Sequence, residues 1–101
     1  MTTLHTVNKS PFEKSSMDSC LAYAKQGSSV LLYEDAIYGA IKGTAVADKV
    51  AAMGGVNFYV LGPDLKARGV SEDKVVDGIG IVDYAEFVTL AAENDKVQAW
   101  V

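Results

Sequence analysis

The stretch Ser29-Val30-Leu31-Leu32-Tyr33 most constrains the fold of this chain. A continuous apolar run, without the alternation of a half-exposed strand, predicts a strand covered on both faces of a sheet. The run ends abruptly in Glu34-Asp35, and Ala36 to Lys42 then reads as a brief helical segment. In open α/β sheets ligands gather beyond the carboxyl ends of the strands, so these two acids form the first candidate site.

The flanking chain repeats this alternation of strand and helix. Thr3 to Val7 is short and β-rich, and Asn8-Lys9-Ser10-Pro11 breaks it with turn chemistry. Ser15 or Ser16 is placed to cap a helix in which Met17, Cys20, Leu21 and Ala24 form one apolar stripe, with Gly27 as its stop. Thr44 is placed to cap Ala45 to Met53, which ends at Gly54-Gly55. Val56 to Leu61 reads as a third strand, Asp64 to Arg68 as a short helix led by Pro63, and Ile79 to Val82 as a fourth strand. Tyr84 to Glu93 is amphipathic, with Tyr84, Phe87, Val88 and Ala91 on one face, and Lys96 to Val101 reads as a short edge strand. Short connections between such elements imply right-handed βαβ crossovers. The expected architecture is α/β: one doubly wound, mostly parallel sheet with helices on both faces, a single domain over residues 1–101.

Composition removes several function classes. Nine Lys and Arg against 13 Asp and Glu give a net charge of −4, and the cations are scattered singly, so direct binding to nucleic acid is not expected. One cysteine forms no internal disulfide and has no metal-ligand spacing with the one histidine, so no metal is expected. The apolar runs are too short to span a bilayer, and a free thiol suits a reducing cytosol; a cytoplasmic protein without a membrane partner is the expectation.

No cofactor is expected either. The loop after the first strand, Asn8-Lys9-Ser10-Pro11-Phe12, lacks the glycines of a dinucleotide or Walker phosphate loop. A phospho-acceptor domain needs acids ending the first strand and an Asp after the third, and neither occurs. No G-x-S-x-G elbow accompanies His5, which sits inside a strand. Glu34 and Asp35 are adjacent on extended chain, so their side chains diverge rather than converge on one substrate atom. Cys20 is the one nucleophile that needs weighing. One turn into its helix, it has some dipole help, and Lys9 or Lys14 would add more if the fold brought them close. The competing account is a small buried hydrophobe at the edge of the Met17-Leu21-Ala24 stripe.

Three segments together carry a resemblance: Leu4-His5-Thr6-Val7-Asn8-Lys9-Ser10-Pro11-Phe12, Val30-Leu31-Leu32-Tyr33-Glu34-Asp35-Ala36-Ile37-Tyr38, and Asn94-Asp95-Lys96-Val97-Gln98-Ala99-Trp100. In this order they resemble the TusB/DsrH family of sulfur-relay subunits from end to end. The resemblance implies a DsrE-like, flavodoxin-like fold. It also implies a heterohexamer with DsrE/TusD-like and DsrF/TusC-like subunits that passes persulfide sulfur to a DsrC/TusE-like carrier. The principal active cysteine of such complexes belongs to the DsrE/TusD subunit. A cysteine in the first helix resembles DsrH proteins of sulfur oxidisers, so the chain is placed nearer that branch. It is read as a mainly structural subunit with Cys20 as an auxiliary sulfur site. The alternatives are a TusB-type subunit for 2-thiolation of the tRNA wobble uridine, or a sulfurtransferase in its own right through a Cys20 persulfide. A ligand-binding flavodoxin-like domain is the third reading. Residues expected at partner interfaces are His5, Lys9, Tyr33, Glu34, Asp35, Tyr38 and Trp100.

Overall fold

The computed structural model describes residues 3–11 and 16–100. Five strands, β1 (Thr3–Val7), β2 (Ser29–Leu32), β3 (Asn57–Leu61), β4 (Gly80–Val82) and β5 (Lys96–Trp100), form one sheet in the order β4-β3-β2-β1-β5. Every pairing between them is parallel. The apolar run holds the central position, and all four residues of β2 are buried. The tail expected as an edge strand is one, paired along β1 from Thr3–Lys96 to Val7–Trp100.

Four helices join the strands: α1 (Ser16–Tyr23), α2 (Ala45–Ala51), α3 (Gly62–Ala67) and α4 (Tyr84–Glu93). The segment after β2 is a 3-10 helix over Glu34–Ala40. Thr44 caps α2 as expected, its hydroxyl accepting from the Ala47 amide at 3.1 Å. Ser16 is the first residue of α1, and Ser15, the other expected cap, lies outside the described residues. Gly27 takes φ +88° and donates its amide to the Gly55 carbonyl at 2.7 Å, so the turn after α1 needs a residue without a Cβ.

Side-chain alternation along each strand splits the apolar residues into two layers. On one face Val7, Val30, Leu32, Phe58 and Val60 pack with Met17, Cys20, Val50 and Leu65 from α1, α2 and α3. On the other, Leu4, Leu31, Leu61 and Val82 pack with Phe87, Leu90 and Ala91 of α4 and with Tyr33 and Tyr59. Helix rotation differs from the expected one. Tyr84 and Val88, assigned to the packed stripe, are 59% and 68% exposed, and Leu90 takes their place against the sheet. Both stripes carry helical spacing, so periodicity alone does not choose between them.

Candidate functional site

Cys20 is the middle residue of the Met17-Cys20-Leu21 stripe that turns α1 toward the sheet. Its side chain is 0% exposed, with Met17 at 1% and Leu21 at 8%. Burial pushes its thiol up to about 12, since the charged form loses its hydration. At neutral pH the thiolate is then on the order of one molecule in 10⁵, whereas sulfur transfer requires an accessible thiolate. Lys9 is exposed on the loop after β1, and Lys14 lies outside the described residues. The structure therefore gives Cys20 the environment of a core residue and withholds the exposure that a sulfur-carrying role requires.

Parallel register brings the ends of β1, β2, β3 and β5 to one sheet edge, and with them Lys9, Tyr33, Glu34, Asp35 and Trp100. Glu34 and Asp35 do not converge. Asp35 accepts from Arg68 Nε at 3.0 Å and pairs with its outer guanidinium nitrogen at 2.9 Å. Glu34 instead enters the left-handed region with φ +49°, unusual for a residue with a side chain, and its amide donates to the Asp64 carboxylate at 2.6 Å. Asp64 and Arg68 come from α3, so the acids after β2 are tied to the helix after β3. That tie is structural in its effect: it fixes the sharp exit from β2. The spacing of Asp64 and Arg68, four apart on a short helix, was the available signal for a paired cluster, but their partners 30 residues upstream were not legible.

Tyr33 points to the α4 layer, with its ring 6.1 Å from Phe87. Burial and the neighbouring Glu34 raise its pKa, so it remains a phenol. Tyr38 is half-buried and packs on the opposite layer. The expected interface residues thus divide between two layers and an edge rather than forming one patch.

His5 and Trp100 meet each other. The Trp100 indole N–H donates to His5 Nδ1 at 3.1 Å, and Tyr23 closes an aromatic cluster with ring centroids 5.7 Å from Trp100 and 6.2 Å from His5. His5 lies opposite Gln98 and Trp100 opposite Val7, a diagonal cross-strand pair on one face. An accepting Nδ1 puts the imidazole proton on Nε2 and keeps the ring neutral. Burial, with Lys96 nearby, lowers the His5 pKa accordingly. At 2% exposure His5 pins β5 and α1 to β1 instead of presenting itself to solvent. Tyr23, the third member, carried no sequence signal.

β3 leads to α3 on one face and β4 to α4 on the other, and a shallow groove of about 520 Å³ opens beyond their carboxyl ends, lined by Pro63, Lys66, Glu72, Asp83 and Glu86 among others. Asp83 and Glu86 form a reciprocal capping box at the start of α4, with the Glu86 amide donating to Asp83 at 2.8 Å. The Asp83 and Glu86 carboxylates thus satisfy amide donors at the start of α4 from within the chain. Among the described residues no group of three His, Cys, Asp or Glu side chains is arranged to hold a metal, and no helix is long and apolar enough to cross a membrane.

Residues 9–97 match the family model described as DsrH like protein. The chain is 33% identical over 97 residues to Protein TusB of Pectobacterium parmentieri, covering 96% of this chain and 99% of the relative. Protein TusB of Erwinia tasmaniensis shows the same identity and coverage. Among solved structures, the YchN protein of E. coli superimposes with a TM-score of 0.80 at 19% identity, covering 98% of this chain and 99% of that one. A protein of unknown function from Methanobacterium thermoautotrophicum, MTH1491, gives 0.72 at 16%, covering 97% and 96%. These structures establish the fold. The sequence relatives are named TusB, which favours the Tus branch over the Dsr branch to which Cys20 alone points. The family-model match over residues 9–97 and the 33% identity to TusB proteins over 96% of the chain make this chain a member of the TusB/DsrH family.

Proposed function

We propose that this chain is a non-catalytic subunit of a sulfur-relay assembly of the Tus type, acting on the path toward 2-thiouridine in tRNA. Its partners would be TusD/DsrE-like and TusC/DsrF-like subunits in a heterohexamer, with a TusE/DsrC-like carrier receiving the sulfur. The observation that carries the non-catalytic part is the buried Cys20, whose thiol stays protonated in the middle of the larger core layer. A subunit without an accessible thiolate relays sulfur by building the complex, and the persulfide rides on a cysteine of a neighbour. The acidic balance of the chain fits this role, because any tRNA would be met through other subunits.

The test is reconstitution with both partner subunits, incubation with a persulfide donor, and intact-mass analysis of each chain. Added sulfur is expected on a partner and none on Cys20, with Cys20→Ala transferring as wild type. Sulfur on Cys20 that is passed on to the carrier overturns the non-catalytic reading. A second reading, a subunit for sulfur oxidation, is favoured only by the presence of Cys20 in the first helix. Loss of 2-thiouridine from tRNA in cells lacking the gene decides for the Tus branch, and unchanged thiolation decides against it.

A further inference from the structure

Helix α4 is thinly covered: none of its ten residues is buried, although among the described helices it is the one packed on the Leu4-Leu31-Leu61-Val82 face of the sheet. Tyr84 and Val88, one turn apart, are 59% and 68% exposed, and Ala85 and Ala92 continue the same outward stripe. Val97, opposite Leu4 on β1 and on the same sheet face, is 49% exposed. Single exposed apolar residues are ordinary, but an outward stripe on the one helix that already packs thinly is not needed for folding.

The helix itself carries one sign of charge. Asp83 at its cap, Glu86 and Glu93 are its charged residues, and Lys66 of α3 lines the groove beside Asp83 and Glu86 at its N-terminal end. An apolar strip edged by carboxylates disfavours a nucleic acid or an anionic membrane. It also disfavours a second copy of this chain, because a two-fold contact through α4 would bring Glu86 and Glu93 of both copies into one interface. We infer that the outward face of α4 docks a different protein subunit, whose matching face is apolar and edged with Lys or Arg. This inference rests on the sulfur-relay reading for the identity of that subunit, while the face and its chemistry come from the helix itself.

Binding of the full chain to the TusD-like and TusC-like subunits, followed by sedimentation and native mass spectrometry, tests the inference. Val88→Asp is expected to weaken assembly by at least about tenfold, as loss of a central apolar anchor does. The double change Glu86→Lys and Glu93→Lys is expected to weaken it too and to remove its dependence on salt. Asp48→Lys, on exposed α2 of the opposite layer, should leave the affinity within about twofold, since it lies outside the contact. Thermal melts guard against misfolding, and Tyr84→Ser provides a second variant of the stripe should Val88→Asp prove unstable. Unchanged assembly in the α4 variants, with wild type assembling, overturns this inference alone. Wild type that joins neither subunit overturns the sulfur-relay reading and this inference with it. A homodimer of the isolated chain that Val88→Asp dissolves overturns it in favour of self-association.

Discussion

The two faces of the sheet are built to different standards. Beneath α1, α2 and α3 lies a continuous layer that runs from Val7 through Leu32 to Val60 and closes over Met17, Cys20 and Leu65, all of them nearly inaccessible. Beneath α4, Leu4, Leu31, Leu61 and Val82 are buried, but the helix above them has no buried residue of its own. The first face holds the fold together. The second leaves Tyr84 and Val88 open to solvent, and the one thiol of the chain is sealed into the first.

The largest effect should come from cutting into the first layer. Leu32→Ala, at 0% exposure, is expected to lose about 3 kcal/mol in urea unfolding, while Leu90→Ala under α4 loses about 1. Equal losses would break the contrast between the faces. Next is Cys20→Ser, which replaces a packed thiol by a buried hydroxyl and should cost about 2 kcal/mol. Alkylation of native Cys20 at pH 8 should in turn proceed far more slowly than in urea-unfolded chain; comparable rates would show an open thiol.

Asp64→Ala removes the acceptor for the Glu34 amide at the strained exit from β2. A loss of about 1 kcal/mol is expected, smaller because the site is solvated. Milder again is the pH response of the His5-Trp100 clamp. The folded His5 pKa lies below its ordinary 6.5, so the unfolded chain takes up a proton first as pH falls. The contribution of His5 is therefore complete above about pH 6.5 and is lost progressively below it; His5→Phe should flatten that part of the curve. Least of all, Val88→Ser should change the stability of the isolated chain by no more than about 0.5 kcal/mol. A larger loss would mean that α4 is held by its outward stripe after all.

Local patterns carried most of the fold. The apolar run of β2, the Thr44 cap, Pro63 at the start of α3 and the weak alternation of the tail are each fixed by neighbours a few residues away. Such signals survive in a one-dimensional reading because their physics is local. The site was less legible. Glu34 and Asp35 were visible as a charged strand end, but their partners Asp64 and Arg68 lie about 30 residues on, and only the β2-β3 pairing brings them close.

The sequence by itself determined a parallel α/β domain, a chain without a phosphate loop or metal cluster in its motifs, and a resemblance strong enough to identify its family. The strand order, the rotation of α4 and the fate of Cys20 were decided by the tertiary structure. A helix with two overlapping apolar stripes has no local reason to prefer one, and α4 turned Leu90 inward and Val88 outward only because the sheet beneath it sets the contact. Likewise, a thiol one turn into a helix is reactive or inert according to what covers it. Here the sheet and its neighbouring helices cover it completely, and desolvation keeps its proton in place.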